Sequence, residues 1–210
     1  MKLELKNVSK KFNNELVLSN INLKLESGNI YGLYGRNGSG KSVLMKLIAG
    51  FYVPSTGEIL YDNKNLNLDM KFPKDLRALI EHPSFFPDLT GYENLALLAK
   101  IQNSIGKKEI LESLEIVNLL SEKDKKYSQY SLGMKQKLGI AQAIMEESKI
   151  LLLDEPFNGI EQETVDKIIN YLQGIKEGKI IIISTHIMDD LKKLTNKILL
   201  LDNGILNEKK

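Results

Sequence analysis

The chain has 210 residues, of which 42% are hydrophobic, enough for one substantial core with at most a small subdomain attached. Lys and Arg number 29 against 27 Asp and Glu, so the net charge offers little general attraction for nucleic acid or anionic lipid, and we expect no nucleic-acid partner. The chain has no cysteine, which excludes disulfides, thiolate zinc sites and cysteine nucleophiles and fits a reducing cytosol.

The sequence shows no segment typical of secretion or of membrane crossing. Residues 1–8 alternate polar and apolar side chains and lack the apolar core of a secretion signal. The longest apolar stretches, such as 150–153 and 180–183, are far shorter than the ~20 residues that cross a bilayer. We therefore expect a cytoplasmic protein, with any membrane part supplied by another chain.

The first part of the chain is predicted to be mainly β structure with one helix. Apolar residues recur at helical spacing from Val43 until Gly50, and residues 54–57 read as a turn. Period-two alternation and short apolar runs predict strands at 3–5, 21–25, 30–34, 58–61 and 78–80.

From Thr90 onward the pattern becomes helical. Thr90 and Glu93 form a capping-box pattern, and the apolar residues that follow at helical spacing predict three amphipathic helices between 90 and 145. The α/β pattern then resumes, with a strand, a helix, a strand and a hairpin predicted at 150–153, 164–172, 180–184 and 198–206.

Residues 35–42 match the phosphate-binding pattern G-x-x-x-x-G-K-[ST], between a predicted strand and a predicted helix. Glycines let backbone N–H groups surround phosphate oxygens, and the following helix directs its positive end at the same anion. Lys41 is predicted to reach the β- and γ-phosphates, and the Ser42 hydroxyl to bind Mg²⁺. The alternative is an ordinary glycine-rich turn. The predicted nucleotide-binding residues of this loop are Gly35, Arg36, Asn37, Gly38, Ser39, Gly40, Lys41 and Ser42.

Two acids, Asp154 and Glu155, follow the apolar run 150–153, where a buried parallel strand would reach the carboxyl edge of the sheet. Asp154 is predicted to hold Mg²⁺ through water, beside the Ser42 hydroxyl. Glu155 is predicted to orient and polarise the attacking water as general base. A solvated loop start is the alternative for such a pair, and the phosphate loop makes it the weaker one.

The segment YSLGMKQK, residues 130–137, precedes the third predicted helix of the helical region, with Ser131 placed as its N-cap. Together with the phosphate loop and the acid pair, this segment resembles the signature of ATP-binding-cassette (ABC) ATPases, usually Leu-Ser-Gly-Gly-Gln. A plain capped helix is the alternative for these residues in isolation. The signature positions are Ser131, Leu132, Gly133 and Met134.

Four further segments are similar to motifs of that family. The resemblance implies that Phe12 stacks on adenine, and that His186 contacts the γ-phosphate and the catalytic region. It implies that residues 157–161 are the D-loop, which communicates between two nucleotide sites. Glu81 stands where the family has a Gln that senses the nucleotide and lies next to the transport partner. A Phe near a strand end is more often core, and a lone His is weak evidence.

The chain departs from the family pattern at Glu81, Leu132, Met134 and Glu161. Leu132 replaces a signature glycine, so its side chain is expected to crowd a phosphate unless it points away. Glu81 remains a candidate residue of the Mg²⁺ site, because a carboxylate accepts a hydrogen bond from metal-bound water. It cannot donate a hydrogen bond as an amide can. Segments within residues 80–95, together with residues 130–134, resemble those of exporters of peptide antibiotics, the bacitracin and lantibiotic self-protection type.

The resemblance covers essentially the whole chain and implies an α/β fold. Its expected parts are a P-loop NTPase core with a mixed sheet, an antiparallel β subdomain and a helical subdomain that carries the signature. We expect one ABC ATPase domain over residues 1–210, with the core and β subdomain at about 1–89 and 146–210 and the helical subdomain at about 90–145.

The resemblance also implies how the chain works: as an ATPase that uses ATP and Mg²⁺, with Lys41, Glu155 and His186 as catalytic residues. It implies a head-to-tail homodimer or pseudo-dimer, in which Ser131 of one subunit covers the ATP held by the other. An integral membrane permease is the implied partner, which would hold the chain at the inner face of the cell membrane. Residues 85–87 are the docking candidate, with local packing as the alternative.

The function expected from these features is ATP-driven export of a peptide antibiotic or similar amphipathic compound. A non-transport ABC ATPase acting on DNA or ribosomes is one alternative, but the coiled-coil inserts, zinc cysteines or tandem cassettes typical of that class are not seen in this sequence. A binding module that has lost hydrolysis is another, and the intact set of Lys41, Ser42, Asp154, Glu155 and His186 argues against it.

Overall fold

The computed structural model describes residues 1–69, 72–81, 84–195 and 197–208. The chain divides into two compact units. The first comprises Met1–Ile80, Ser148–Glu155 and Ile175–Lys210, and the second comprises Glu81–Glu147 and Pro156–Gly174. The helical subdomain at 90–145 stays a prediction.

The chain begins with strands and one helix, continues with three helices and then alternates between strands and helices. In chain order the elements are β1 (Lys2–Phe12), β2 (Glu15–Glu26), β3 (Asn29–Tyr34), α1 (Lys41–Ile48), β4 (Thr56–Tyr61), β5 (Lys64–Asn65), β6 (Leu76–Leu79), α2 (Gly91–Gln102), α3 (Lys107–Ile116), α4 (Leu132–Ile144), β7 (Ile150–Asp154), α5 (Gln162–Ile175), β8 (Ile180–Thr185), α6 (Met188–Leu194), β9 (Lys197–Asp202) and β10 (Ile205–Glu208).

The first unit contains a four-stranded antiparallel sheet in the order β2-β1-β4-β5. The predicted alternation is present, since Leu3 and Leu5 of β1 are buried opposite Leu25 and Leu23 of β2. The strand predicted at 58–61 begins earlier, at Thr56, inside the predicted turn. It does so because Thr56 pairs with Ser9 beyond a register shift in β1.

A second sheet of six strands, in the order β10-β9-β3-β8-β7-β6, carries the phosphate loop and the acid pair. Strands β9, β3, β8, β7 and β6 are parallel neighbours, and β10 is antiparallel to β9. Strand β7 is buried along its whole length, as its apolar run predicts. Because the strands are parallel, the carboxyl ends of β3, β8 and β7 lie at the same sheet edge.

The core of the first unit lies between helix α1 and the two sheets. Leu44, Met45, Leu47 and Ile48 of α1 are buried against residues of both sheets. Burying four large apolar side chains stabilises this packing by roughly 1.5–3 kcal/mol each. The helix that follows the phosphate loop is therefore held firmly at the sheet edge.

The second unit contains α2 to α4, most of α5 and two single 3₁₀ turns at 120–122 and 127–129. The predicted capping box is confirmed: the Glu93 N–H donates to the Thr90 hydroxyl at 3.1 Å, and the Thr90 N–H donates to the Glu93 carboxylate at 2.8 Å. These two bonds satisfy N–H groups that the start of a helix leaves without partners.

Two elements were not predicted. Helix α6 has only seven residues, of which Leu191 and Leu194 are buried, so its apolar pattern is too short to recognise. Strand β5 has two residues and depends on its pairing with β4. Among the described residues, no helix has both the length and the apolar character required for a membrane span.

Candidate functional site

The phosphate loop runs from the end of β3 into α1, and its backbone depends on glycine. Gly38 and Gly40 have φ values of +81° and +103°, a region that other residues rarely adopt. A Cβ at Gly40 would lie 2.9 Å from the side chain of Leu18, and a Cβ at Gly35 would lie 2.4 Å from the Leu201 carbonyl oxygen. Conformation and close packing thus both require glycine in this loop.

Lys41 points into the loop that precedes it. Its side chain is only 6% exposed, and its ammonium donates to the carbonyl oxygens of Gly35 at 2.7 Å and Arg36 at 3.3 Å. The same ammonium lies 3.1 Å from Glu155 Oε1. A buried ammonium requires such partners because its desolvation is costly, and this arrangement places a positive charge where phosphates would be held.

The acid pair is held by neighbouring strand β8. The buried Asp154 carboxylate accepts a hydrogen bond from the Ser184 hydroxyl, and the Glu155 N–H donates to the Ser184 carbonyl oxygen at 3.1 Å. Glu155 has a φ of +46°, which is uncommon for a residue with a side chain. Such strained backbone is concentrated at functional sites, where the surrounding structure maintains it.

His186 completes a chain of contacts with Glu155. Its Nδ1 lies 2.9 Å from Glu155 Oε2, while the other carboxylate oxygen faces Lys41. The structure therefore brings three predicted catalytic side chains, Lys41, Glu155 and His186, into direct contact. A carboxylate fixed between two basic groups can be oriented without rotating freely, which suits a group that positions water.

The oxygen atoms around the loop suit a hard cation together with phosphate. Ser39 Oγ is buried and has no hydrogen-bond partner among the described residues, so it is available to a ligand. The Ser42 hydroxyl and the Asp154 carboxylate are oxygen donors of the kind that Mg²⁺ prefers when substrate phosphates and waters fill its other positions. In the described part of the chain, no cluster of three or more His, Cys, Asp or Glu forms a protein-only metal site.

Two features of the first unit were missed by sequence reasoning. Tyr52 meets Phe12 edge to face, with ring centroids 5.3 Å apart, and the Lys10 ammonium lies 4.8 Å from the Phe12 ring. Phe12 is therefore a partly exposed ring in an aromatic pair rather than a core residue. A cavity of about 540 Å³ borders the phosphate loop and is lined by residues 34–39 and 200–203.

The signature residues lie in the second unit, at the start of α4. Ser131 caps the helix as predicted, accepting a hydrogen bond from the Met134 N–H at 3.2 Å. Leu132 is 70% exposed, so its side chain points into solvent. A Cβ on Gly133 would lie 2.5 Å from the Gly159 carbonyl oxygen, so only glycine fits there without displacement.

Glu81 is the first residue of the second unit. Glu81 is exposed and has a φ of +64°, while its neighbours His82 and Pro83 lie outside the described residues. In the predicted docking segment, Phe85 packs edge to face on Tyr127 with centroids 5.3 Å apart, whereas the Phe86 side chain is exposed. Local packing therefore accounts for Phe85 and leaves Phe86 available to a partner.

Comparison with known proteins gives consistent matches along the chain. A family model described as ABC transporter matches residues 18–158. The chain is 39% identical to a bacitracin transport ATP-binding protein of Enterococcus faecalis, over 98% of this chain and 68% of that protein. It is 40% identical to an uncharacterized ABC transporter ATP-binding protein of Bacillus subtilis, over 97% and 94%. It is 32% identical to a lantibiotic transport ATP-binding protein of Streptococcus pyogenes, over 93% and 85%.

Solved structures match equally broadly. A dimeric post-hydrolysis state of an ATP-binding cassette bound to ADP and Pi superposes with a TM-score of 0.87 at 26% identity, covering 99% of this chain and 98% of that chain. The ATP binding subunit of an ABC transporter gives 0.86 at 26% identity, covering 99% and 90%. The predicted fold class is confirmed by these matches.

The contact between Gly133 and Gly159 predicts an unusual response to a Gly→Ala change in a helix. Ala normally stabilises a helix by about 1 kcal/mol relative to Gly. Gly133→Ala should instead lower the free energy of unfolding by about 1–3 kcal/mol, because the new methyl group meets a carbonyl oxygen. Urea unfolding measures this change.

Gly174→Ala is the matched control. Gly174 also lies in a helix of the second unit, and a Cβ there would meet nothing within 4 Å. This variant should be as stable as the original chain or more so. Equal stability of the two Ala variants would contradict the close contact at Gly133.

Proposed function

This chain belongs to the ABC transporter family as an ATP-binding subunit, and we propose that the ATP it binds and hydrolyses powers export of a peptide antibiotic or similar amphipathic compound through a separate membrane permease. The main structural support for ATP hydrolysis is the series of contacts from Lys41 to Glu155 to His186 at the end of the phosphate loop. The similarity to bacitracin and lantibiotic transport ATP-binding proteins supports the class of cargo.

In the proposed reaction, the phosphate loop and the start of α1 hold the phosphates of ATP, and Lys41 supplies positive charge to the β- and γ-phosphates. A phosphate that attracts the Lys41 ammonium competes with Glu155 Oε1 for it. The Glu155 carboxylate, still oriented through His186, then orients the attacking water and accepts its proton.

Mg²⁺ is proposed as the second cofactor, and a bound Mg²⁺ would neutralise charge on the phosphate oxygens. Ser42 would contribute its hydroxyl and Asp154 its carboxylate, with Glu81 as a further acceptor for metal-bound water. The hydrogen bond from Ser184 keeps Asp154 in place for this task.

We further propose that two subunits assemble head to tail, as an ATP-binding cassette does in a matching dimeric structure bound to ADP and Pi. In that arrangement Ser131, Gly133 and the start of α4 approach the ATP held by the other subunit. The Leu132 side chain is 70% exposed in the single chain, so no contact within the chain fixes its direction as the other subunit approaches. Phe12 and Tyr52 are proposed to contact the adenine ring.

The permease is proposed to hold the chain at the cytoplasmic face of the membrane. Phe86 is an exposed aromatic side chain in the segment that the resemblance assigns to the transport partner. An exposed aromatic residue of this kind is enriched at protein interfaces. We therefore assign Phe86, and not Phe85, to the proposed docking contact.

The proposed role of Glu155 predicts a separation of binding from turnover. Glu155→Gln removes the base but keeps the size of the side chain, so it should lower kcat about 10²–10⁴-fold while ATP still binds. Phosphate release and fluorescent-nucleotide binding measure the two quantities. Glu177→Gln, the same change at an exposed acid of the first unit, should leave both unchanged. Normal hydrolysis by Glu155→Gln would exclude Glu155 as the base.

The proposed composite site predicts complementation between two inactive variants. Lys41→Ala inactivates the ATP site at the subunit's own phosphate loop. Ser131→Arg inactivates the ATP site at the phosphate loop of the other subunit. Mixing the two should restore ATPase activity, with one intact site in each mixed dimer. Mixing Lys41→Ala with a chain that carries both changes is the control, since no intact site can form. Full activity of Ser131→Arg alone would show that each chain works without the other.

The proposed cargo class predicts antibiotic sensitivity in the native host. Loss of this chain should lower the minimum inhibitory concentrations of bacitracin or lantibiotics several-fold, and the original chain should restore them while Glu155→Gln does not. Co-purification of a multi-span membrane protein with the chain tests the permease. Unchanged sensitivity to bacitracin and to lantibiotics after loss of a chain with normal ATPase activity would exclude peptide antibiotics as the cargo.

A further inference from the structure

The segment directly after the acid pair, residues 156–161, is held to helix α4 at several points. We call it the post-acid segment. At its amino end, the Pro156 carbonyl oxygen accepts a hydrogen bond from Gln136 Nε2 at 3.3 Å. In its middle, Gly159 approaches Gly133 so closely that a Cβ on Gly133 would lie 2.5 Å from the Gly159 oxygen. At its carboxyl end, Glu161 meets Lys137.

The contact between Lys137 and Glu161 is short and asymmetric. Lys137 Nζ lies 2.6 Å from Glu161 Oε2; the Lys137 side chain is 9% exposed, whereas that of Glu161 is 71% exposed. A buried ammonium depends on its counter-charge much more than an exposed carboxylate does. Glu161 therefore reaches from solvent to neutralise a charge within α4. The pKa of the Glu161 carboxyl is lowered, chiefly by its hydrogen bond with Lys137, as expected for this contact.

We propose that Lys137 and Glu161 are a positioning pair, which locks the post-acid segment to the signature helix and thereby sets the backbone at the catalytic Glu155. The inference rests on the proposed role of Glu155 as the general base. It adds two residues that act on the reaction through the segment they hold and not by binding the nucleotide or the attacking water.

The route from this pair to Glu155 runs along the chain. Pro156 follows Glu155 directly, and a proline favours an extended backbone with negative φ in the residue before it. Glu155 itself has the uncommon φ of +46°. A backbone in this region persists only where the surrounding structure maintains it. Holding both ends of the post-acid segment limits the movement of Pro156 and so helps to maintain the Glu155 conformation.

The pair also explains one departure from the family pattern. The family usually has Asp where this chain has Glu161, and Asp is one methylene shorter. With Lys137 as partner, an Asp carboxylate would be withdrawn by about 1.5 Å, the length of one C–C bond, and the 2.6 Å contact would be lost. Glu161→Asp, which restores the residue usual in the family, should therefore impair this enzyme.

The test compares kcat and KM for ATP in the full-length chain. Glu161→Gln, Glu161→Asp and Lys137→Met should each lower kcat, by roughly tenfold for a direct contact of this kind, with KM unchanged. The double variant Lys137→Met/Glu161→Gln should lose no more than either single variant, since both changes break the same contact. Glu163→Gln, at an exposed acid two residues further along, is the matched control and should keep the original kcat.

Melting temperatures separate positioning from simple destabilisation. Lys137→Met removes the buried charge along with the contact, so it should retain the original Tm while still lowering kcat. A structural role alone predicts that kcat stays normal in this variant. Normal kcat in Glu161→Gln, Glu161→Asp or Lys137→Met, or additive losses in the double variant, would overturn the proposal. Glu155→Gln tests the base itself, so failure of the pair and failure of the base are distinguishable.

Discussion

The proposed ATPase site depends on one constraint, that strands β3, β8 and β7 are parallel neighbours and end at the same edge of a sheet. Tyr34 pairs with Thr185, and Asp154 pairs with Ser184, so the three chain segments leave the sheet at nearly the same level. One segment continues into the phosphate loop, one into the acid pair and one to His186. A change of register in any of these strands would separate the charged groups.

Within that edge, the charges stabilise one another. Lys41 is buried and has Glu155 and two carbonyl oxygens as partners, while Glu155 also contacts His186. Burial without these partners would be costly for either ion. The same contacts hold Glu155 in an orientation that suits its proposed role in water activation. Stability and catalysis thus place similar demands on this group, although its backbone has an uncommon conformation.

The second unit shows how departures from a family pattern acquire meaning from their contacts. Leu132, a substitution that raised the question of crowding at the signature, points into solvent. Glu161, chemically the more conservative change, makes a 2.6 Å contact with a buried lysine. The chemical similarity of a substitution is therefore a poor guide to its consequence. The partner that the side chain reaches decides what the change does.

The sequence by itself determined the family and most helices and strands, and it supplied the residues that are proposed for the site. These features depend on local signals: the glycine spacing of the phosphate loop, acids after a buried apolar run, and the Thr90–Glu93 capping box. Such signals can be recognised in the sequence because backbone conformation and helix capping involve residues close together in the chain. The sequence did not predict the short helix α6 or the two-residue strand β5, because these elements contain too few residues for a periodic pattern.

Only the tertiary structure decided which distant side chains meet. The contact of Lys41 with Glu155, the pairing of Tyr52 with Phe12, and the link between Lys137 and Glu161 join residues far apart or on different elements. No local pattern encodes these distances, because they follow from sheet register and from how the helices pack. The sequence thus named the chemical groups of this ATPase, and packing determined their arrangement.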